Sequence, residues 1–110
     1  MKITLSKPPA LNDLYGNKIT GGRYLKVRGV AWKDQAAWLI KAKKVKLTGE
    51  VALKVILYTS KHQDIDSILK ILLDAIQASG IIEDDYWIFR LNVLKIKCEH
   101  KDEKIEIEIN

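Results

Sequence analysis

Two short acidic groups carry the chemistry open to this sequence. Asp64 and Asp66 stand two residues apart, and Asp84 and Asp85 are adjacent further along. Lys70 and Asp74 continue from Asp66 at steps of four. Carboxylate oxygens are ligands for hard divalent cations, and Mg²⁺ takes a few carboxylates while keeping several waters. Phosphodiester hydrolysis uses such an ion to activate water and to stabilise charge on the departing oxygen. A lysine nearby supplies a fixed positive charge to the crowded phosphate oxygens. Without a cation, three or four clustered carboxylates repel one another and partly protonate.

The same residues have ordinary roles open to them. Asp66 suits a helix N-cap. Asp84-Asp85 suits an exposed turn, and Lys70 with Asp66 or Asp74 suits a surface pair. Asp-x-Asp followed later by Asp-Asp is a pattern of low specificity, so its setting decides.

The elements that must position these residues follow from periodicity. Met1–Ser6 alternates and reads as a short strand, which Pro8-Pro9 stops. Ala10–Arg23, with Gly16-Asn17 and Gly21-Gly22, reads as a long loop. Tyr24–Lys44 carries a helical pattern with Val30, Ala31, Ala37, Trp38 and Ile40 on or near one face and Trp32, Ala36 and Leu39 beside them; Gly29 weakens its start, so the helix can begin near Val30. Val51–Tyr58 is apolar and β-branched, a central strand. In Asp66–Ser79, Ile65, Ile68, Leu69, Leu72, Leu73 and Ile76 recur at helical spacing, and Gly80 stands where a C-terminal cap belongs. Leu91–Cys98 and Lys104–Ile109 alternate around a polar turn and read as an antiparallel hairpin. The expected architecture is α/β (α+β): one domain over residues 1–110, a small mixed sheet with two helices, in the order strand, helix, strand, helix, strand, strand. Asp64 and Asp66 follow the central strand, where extended backbone would aim both carboxylates one way. The helix after them runs on for about 20 Å. The turn at Gly80 must therefore send the chain back if Asp85 is to rejoin them.

Charge adds a partner. Residues 1–54 hold 12 Lys/Arg against 3 Asp/Glu, and residues 55–110 hold 7 against 11, for a net +5 overall. A basic half beside an acidic half fits a polyanion ligand and a local carboxylate cluster, although a solubilising pattern would look similar. Cys98 is the single cysteine, which leaves no intrachain disulfide and no cysteine zinc cluster. No apolar run approaches a membrane span, and Met1–Leu5 lacks the features of a signal peptide, so a cytoplasmic protein is expected. There is no Gly-rich phosphate loop and no nucleophile triad. His62 can touch a phosphate or sit solvated at a strand end. Trp32, Trp38 and Trp87 can stack on bases or fill core and dimer contacts.

Asp64-Ile65-Asp66-Ser67-Ile68-Leu69-Lys70, then Leu73-Asp74-Ala75, then Gly80-Ile81-Ile82-Glu83-Asp84-Asp85, resembles the signature of the RusA-type Holliday-junction resolvases of phages and prophages. Pro8-Pro9-Ala10-Leu11-Asn12 and Gly22-Arg23-Tyr24-Leu25 are similar to the family's N-terminal part, so the resemblance covers most of the chain in matching order. It implies a homodimeric, Mg²⁺-dependent endodeoxyribonuclease, with Mn²⁺ able to substitute, that resolves four-way DNA junctions by paired symmetric nicks. The family's metal-site aspartates map onto Asp64, Asp66 and Asp85, and its catalytic lysine onto Lys70; Asp84 and Asp74 are possible additional members. Ser67 departs from the family's usual Asn and gives up a two-ended amide. Asn12, Tyr15, Arg23, Tyr24, Arg28 and Lys33 are the expected DNA contacts, binding backbone phosphate largely without reading sequence. The alternative is a non-catalytic nucleic-acid-binding protein whose aspartates are structural. A nucleotide or phosphate-ester hydrolase shares the metal logic but has less need of the basic half.

Overall fold

The computed structural model describes residues 1–9, 15–17, 23–61 and 64–110. Its strands are β1 (Lys2–Leu5), β2 (Tyr15–Asn17), β3 (Arg23–Leu25), β4 (Val51–Thr59), β5 (Ile88–Lys97) and β6 (Lys104–Ile109). Helix α1 spans Val27–Lys41 and α2 spans Ile65–Ser79, with single 3-10 turns at Asp85–Trp87 and His100–Asp102. The main sheet runs β1-β6-β4-β5, and β2 with β3 forms a separate two-stranded ribbon. The expected mixed sheet with two helices is present, in the expected order.

Strict alternation builds the core. Val51, Leu53, Val55 and Leu57 of β4 are buried together with Ile105, Ile107 and Ile109 of β6. Against them pack Ile68, Ile71, Leu72, Ala75 and Ile76 of α2 and Trp32, Ala36 and Ile40 of α1. The intervening residues face away and include Lys54, Tyr58, Lys104, Glu106 and Glu108: Lys104 lies over the Tyr58 ring at 5.0 Å, and Tyr58 Oη donates to Glu106 at 3.4 Å. Gly80 ends α2 in the left-handed region, at φ 78, where a side chain would be strained.

Several expectations need correction. The last two strands are not a hairpin: β4 lies between them, paired parallel to β5 and antiparallel to β6. Alternation reveals which face of a strand is buried but not which strand lies beside it. The chain leaving β5 crosses over the end of β4, where Cys98 N–H donates to Thr59 O at 3.0 Å, before entering β6. Helix α1 begins at Val27 rather than in the Tyr24 region or at Val30, because residues 23–25 are drawn into the ribbon. That ribbon also occupies part of the stretch expected to be a loop. Val30 and Trp38 are exposed, Trp38 by 68%. The buried stripe of α1 instead follows Gly29, Trp32, Ala36 and Ile40.

Candidate nuclease site

Asp64 occupies the N-cap position of α2 with extended backbone, and its side chain makes no capping bond. The carboxylate is exposed. Asp66 lies in the first turn, also exposed, where the helix dipole favours negative charge. The two are thus a cap and a first-turn residue; the extended geometry expected for the pair is not adopted. Ser67 Oγ donates to Asp64 O at 3.0 Å, so the residue that departs from the family pattern ties down the same turn. Lys70 and Asp74 are exposed on the Asp66 face of the helix.

Asp84 and Asp85 precede β5. Asp84 accepts from Tyr86 N–H at 3.3 Å and so caps the short 3-10 turn. The two carboxyls are hydrogen-bonded to each other. That bond, then desolvation and the charges of Asp84 and Asp74, raises Asp85 above the usual carboxylate range. The same bond, with that from Tyr86 N–H, lowers Asp84. Clustered negative charge of this kind is eased by protonation or by a cation.

The sheet topology separates the two groups within one chain. Strands β4 and β5 are parallel, with Thr59 beside Lys97 at one end and Val51 beside Ile88 at the other. Asp64 and Asp66 follow the first end and Asp85 precedes the second. Helix α2, 15 residues long, spans about 22 Å between them. The structure therefore brings Asp74, Asp84 and Asp85 into mutual influence and leaves Asp64 and Asp66 at the opposite end. Among the described residues, no three metal-ligating side chains form a ready cluster.

The start of the basic helix α1 lies toward the Asp64 end, whereas its lysine-rich exit lies toward the Gly80 end, where Leu47 N–H donates to Ile81 O at 2.7 Å. Trp32 Nε1 donates to Ser6 O at 3.0 Å, just past Leu5, whose partner Ile105 also pairs Leu57 near the end of β4. The start of α1, with exposed Arg28, is therefore near that end, followed by half-buried Lys33. Tyr15, Arg23 and Tyr24 fall in the β2–β3 ribbon; Asn12 and His62 lie outside the described residues. Two concavities among the described residues, of about 560 and 630 Å³, are shallow depressions on or beside the open sheet face, lined by residues such as Lys2, Lys54, Arg90 and Glu108. Neither is lined by Asp64, Asp66, Asp74, Asp84 or Asp85.

Two features went unread in the sequence. Tyr86, Trp87 and Phe89 form a ladder of tilted rings, with centroids 5.0 and 6.4 Å apart. Tyr86 and Phe89 are 64% and 61% exposed, and Trp87 Nε1 is buried with no hydrogen-bond partner among the described residues. The aromatic run just after Asp85 was a visible signal. The second, a nearly buried Glu103, had none: it sat in a polar stretch read as a turn.

A mixed four-stranded sheet with two helices, bearing exposed carboxylates at both ends of one helix beside a basic first half, defines an α/β protein with acidic surface groups. The family model described as endodeoxyribonuclease RusA matches residues 7–110, and the chain belongs to that family of nucleases. The crossover junction endodeoxyribonuclease RusA of Aquifex aeolicus (strain VF5) is 29% identical over 114 aligned residues, covering 99% of this chain and 90% of the relative. Nucleases of this family are metal-dependent. The donors here fit such an ion in kind, being carboxylate oxygens throughout. No helix among the described residues is long and apolar enough to cross a membrane.

Proposed function

We propose that this protein resolves four-way DNA junctions by paired, symmetric nicks, using Mg²⁺ or, in its place, Mn²⁺. The match to the RusA nucleases across residues 7–110 carries this reading, supported by the likeness to the Aquifex crossover junction endodeoxyribonuclease. Asp64, Asp66 and Asp85 would hold the ion, with Asp84 and Asp74 beside them. When bound, a divalent cation there supplies Lewis-acid activation of water and neutralises charge on the phosphate. Lys70, on the Asp66 face, adds positive charge at the edge of the site. Asn12, Tyr15, Arg23, Tyr24, Arg28 and Lys33 would hold the DNA backbone.

A homodimer reconciles this reading with the separation along α2. Strand β5 is the outermost in the sheet, and among the described residues no strand pairs its outer edge. It exposes Phe89, Leu91, Leu94 and Ile96, and Tyr86 stands just ahead of it. Long apolar edge strands are a liability unless covered. A second copy pairing β5 to β5 about a twofold axis normal to the sheet runs the strands antiparallel. The start of one β5 then lies beside the end of the other, and Asp85 of each chain approaches the Asp64–Asp66 turn of its partner. Two equivalent sites result, as two symmetric nicks require.

The test is a synthetic four-way junction and a matched linear duplex, each incubated with and without Mg²⁺, with nicks mapped on every strand. Paired nicks on the junction alone, dependent on the cation, are expected. Junction affinity should also fall steeply with salt, as phosphate contacts dictate. A protein that holds the junction equally well without cation and cuts nothing would be a binding module instead.

A further inference from the structure

We propose that Glu103 is a positioning residue for the metal site, holding in place the end of β4 from which the Asp64–Asp66 turn departs. This rests on the reading of Asp64 and Asp66 as ligands and adds a residue that the acidic signature does not contain.

Glu103 precedes β6, where the chain has just crossed over the end of β4. Its side chain is only 9% exposed, a costly place for a carboxylate unless its lone pairs are used. They are used fully. Oε2 accepts from Lys7 Nζ at 2.8 Å, from Ser60 N–H and Ser60 Oγ at 2.9 Å each, and from Thr59 Oγ1 at 3.4 Å. His100 Nδ1 stands 2.9 Å from Oε1. One carboxylate thus joins the segment after β1, the exit of β4 and the turn before β6. Lys7 and the Ser60 N–H hold its pKa down to about 2, so the group is charged throughout the working range of a nuclease.

The location gives this brace its function. Beyond Thr59 the strand ladder has ended, and Ser60 N–H finds its acceptor in Glu103 rather than in a neighbouring strand. Thr59 Oγ1 accepts from Lys61 N–H at 3.2 Å and carries the same order one residue further. Asp64 follows three residues after Lys61. At the other end of the turn, Ser67 Oγ fixes Asp64 O. The described residues flanking 62–63 are therefore held on both sides, Ser60 by Glu103 and Asp64 by Ser67. Ligands held this way lose less freedom when they bind an ion, which is why residues supporting a ligand often matter to affinity nearly as much as the ligand.

Glu103→Gln keeps the size but removes the charge and one of the two acceptor oxygens. Binding of Mn²⁺ to the protein alone, read from the loss of the free-ion electron paramagnetic resonance signal, should weaken on the order of tenfold. Junction affinity without divalent ion should stay within about twofold, because no phosphate-binding group is changed. If Glu103→Gln fails to fold, as judged by circular dichroism, Lys7→Met removes the same ion pair from the other side, and weaker Mn²⁺ binding is again expected. Unchanged Mn²⁺ affinity in a folded variant overturns the positioning role and leaves the nuclease reading standing. A parent protein that binds no Mn²⁺ and cuts no junction overturns both.

Discussion

The two ends of α2 are both acidic but differently finished. At the Asp64 end, the carboxylates stand on a turn held by bonds within the chain: Ser67 to Asp64 O, Ser60 to Glu103, and Lys7 to Glu103. At the Asp85 end, Asp84 holds the Asp85 carboxyl above the usual carboxylate range, Trp87 Nε1 is buried with no partner among the described residues, and Tyr86 and Phe89 face solvent. The first end is complete within a single chain. The second carries the marks of a surface that a partner finishes, since orphaned donors and exposed aromatic ladders are costly when left open. On the proposed reading, one half of the site is held within the chain and the other depends on assembly.

The largest expected effect breaks the comparison outright. Asp66→Asn and Asp85→Asn should each reduce nicking at least on the order of 10³-fold, because each removes a charged ligand from both sites of the dimer. Mixing the two variants under subunit exchange should restore nicking of one strand, since one of the two shared sites then has a full set. A mixture as inactive as its parts would place all three ligands in one chain, against the separation along α2.

Lys70 tests how the stripe between the ends is used. Lys70→Ala should lower the single-turnover rate at saturating protein by roughly 10²–10³-fold, with junction affinity nearly unchanged. Lys70→Arg should recover only part, because a planar fork does not replace a compact ammonium. A purely surface role would instead cost under about 1 kcal/mol of stability and nothing in rate.

The β5 edge gives a subtler contrast. Phe89 is 61% exposed in the single chain, so Phe89→Glu should change monomer stability by only about 0.5 kcal/mol. Sedimentation should nevertheless shift from dimer to monomer, and nicking should fall with it. A variant that remains dimeric would move the interface elsewhere.

The smallest effect lies in acid. Glu103 has its pKa lowered from an ordinary 4.5 to about 2, so the stability it contributes is complete above 4.5 and is lost as pH falls toward 2. Thermal melts across that window should show a flatter acid limb for Glu103→Gln than for the parent. Matching slopes would mean that the brace contributes little to folding.

Much of this protein was determined by its sequence alone. The alternation of β4 and β6, the apolar stripe of α2 and the glycine that ends it are local patterns, and each specifies which face is buried without reference to the rest of the chain. The acidic signature and the basic first half were legible for the same reason, since charge and spacing are written residue by residue. Tertiary structure alone decided the neighbours. It placed β4 between β5 and β6, because alternation fixes a strand's buried face but leaves its partners open. It buried Trp32 and exposed Trp38, because crowding against β1 and α2 selects one stripe among similar apolar residues. It turned a polar connection into the crossing that carries Glu103, and it set Asp85 a helix length away from Asp64. Those outcomes depend on contacts between residues far apart in sequence, and no local period encodes them.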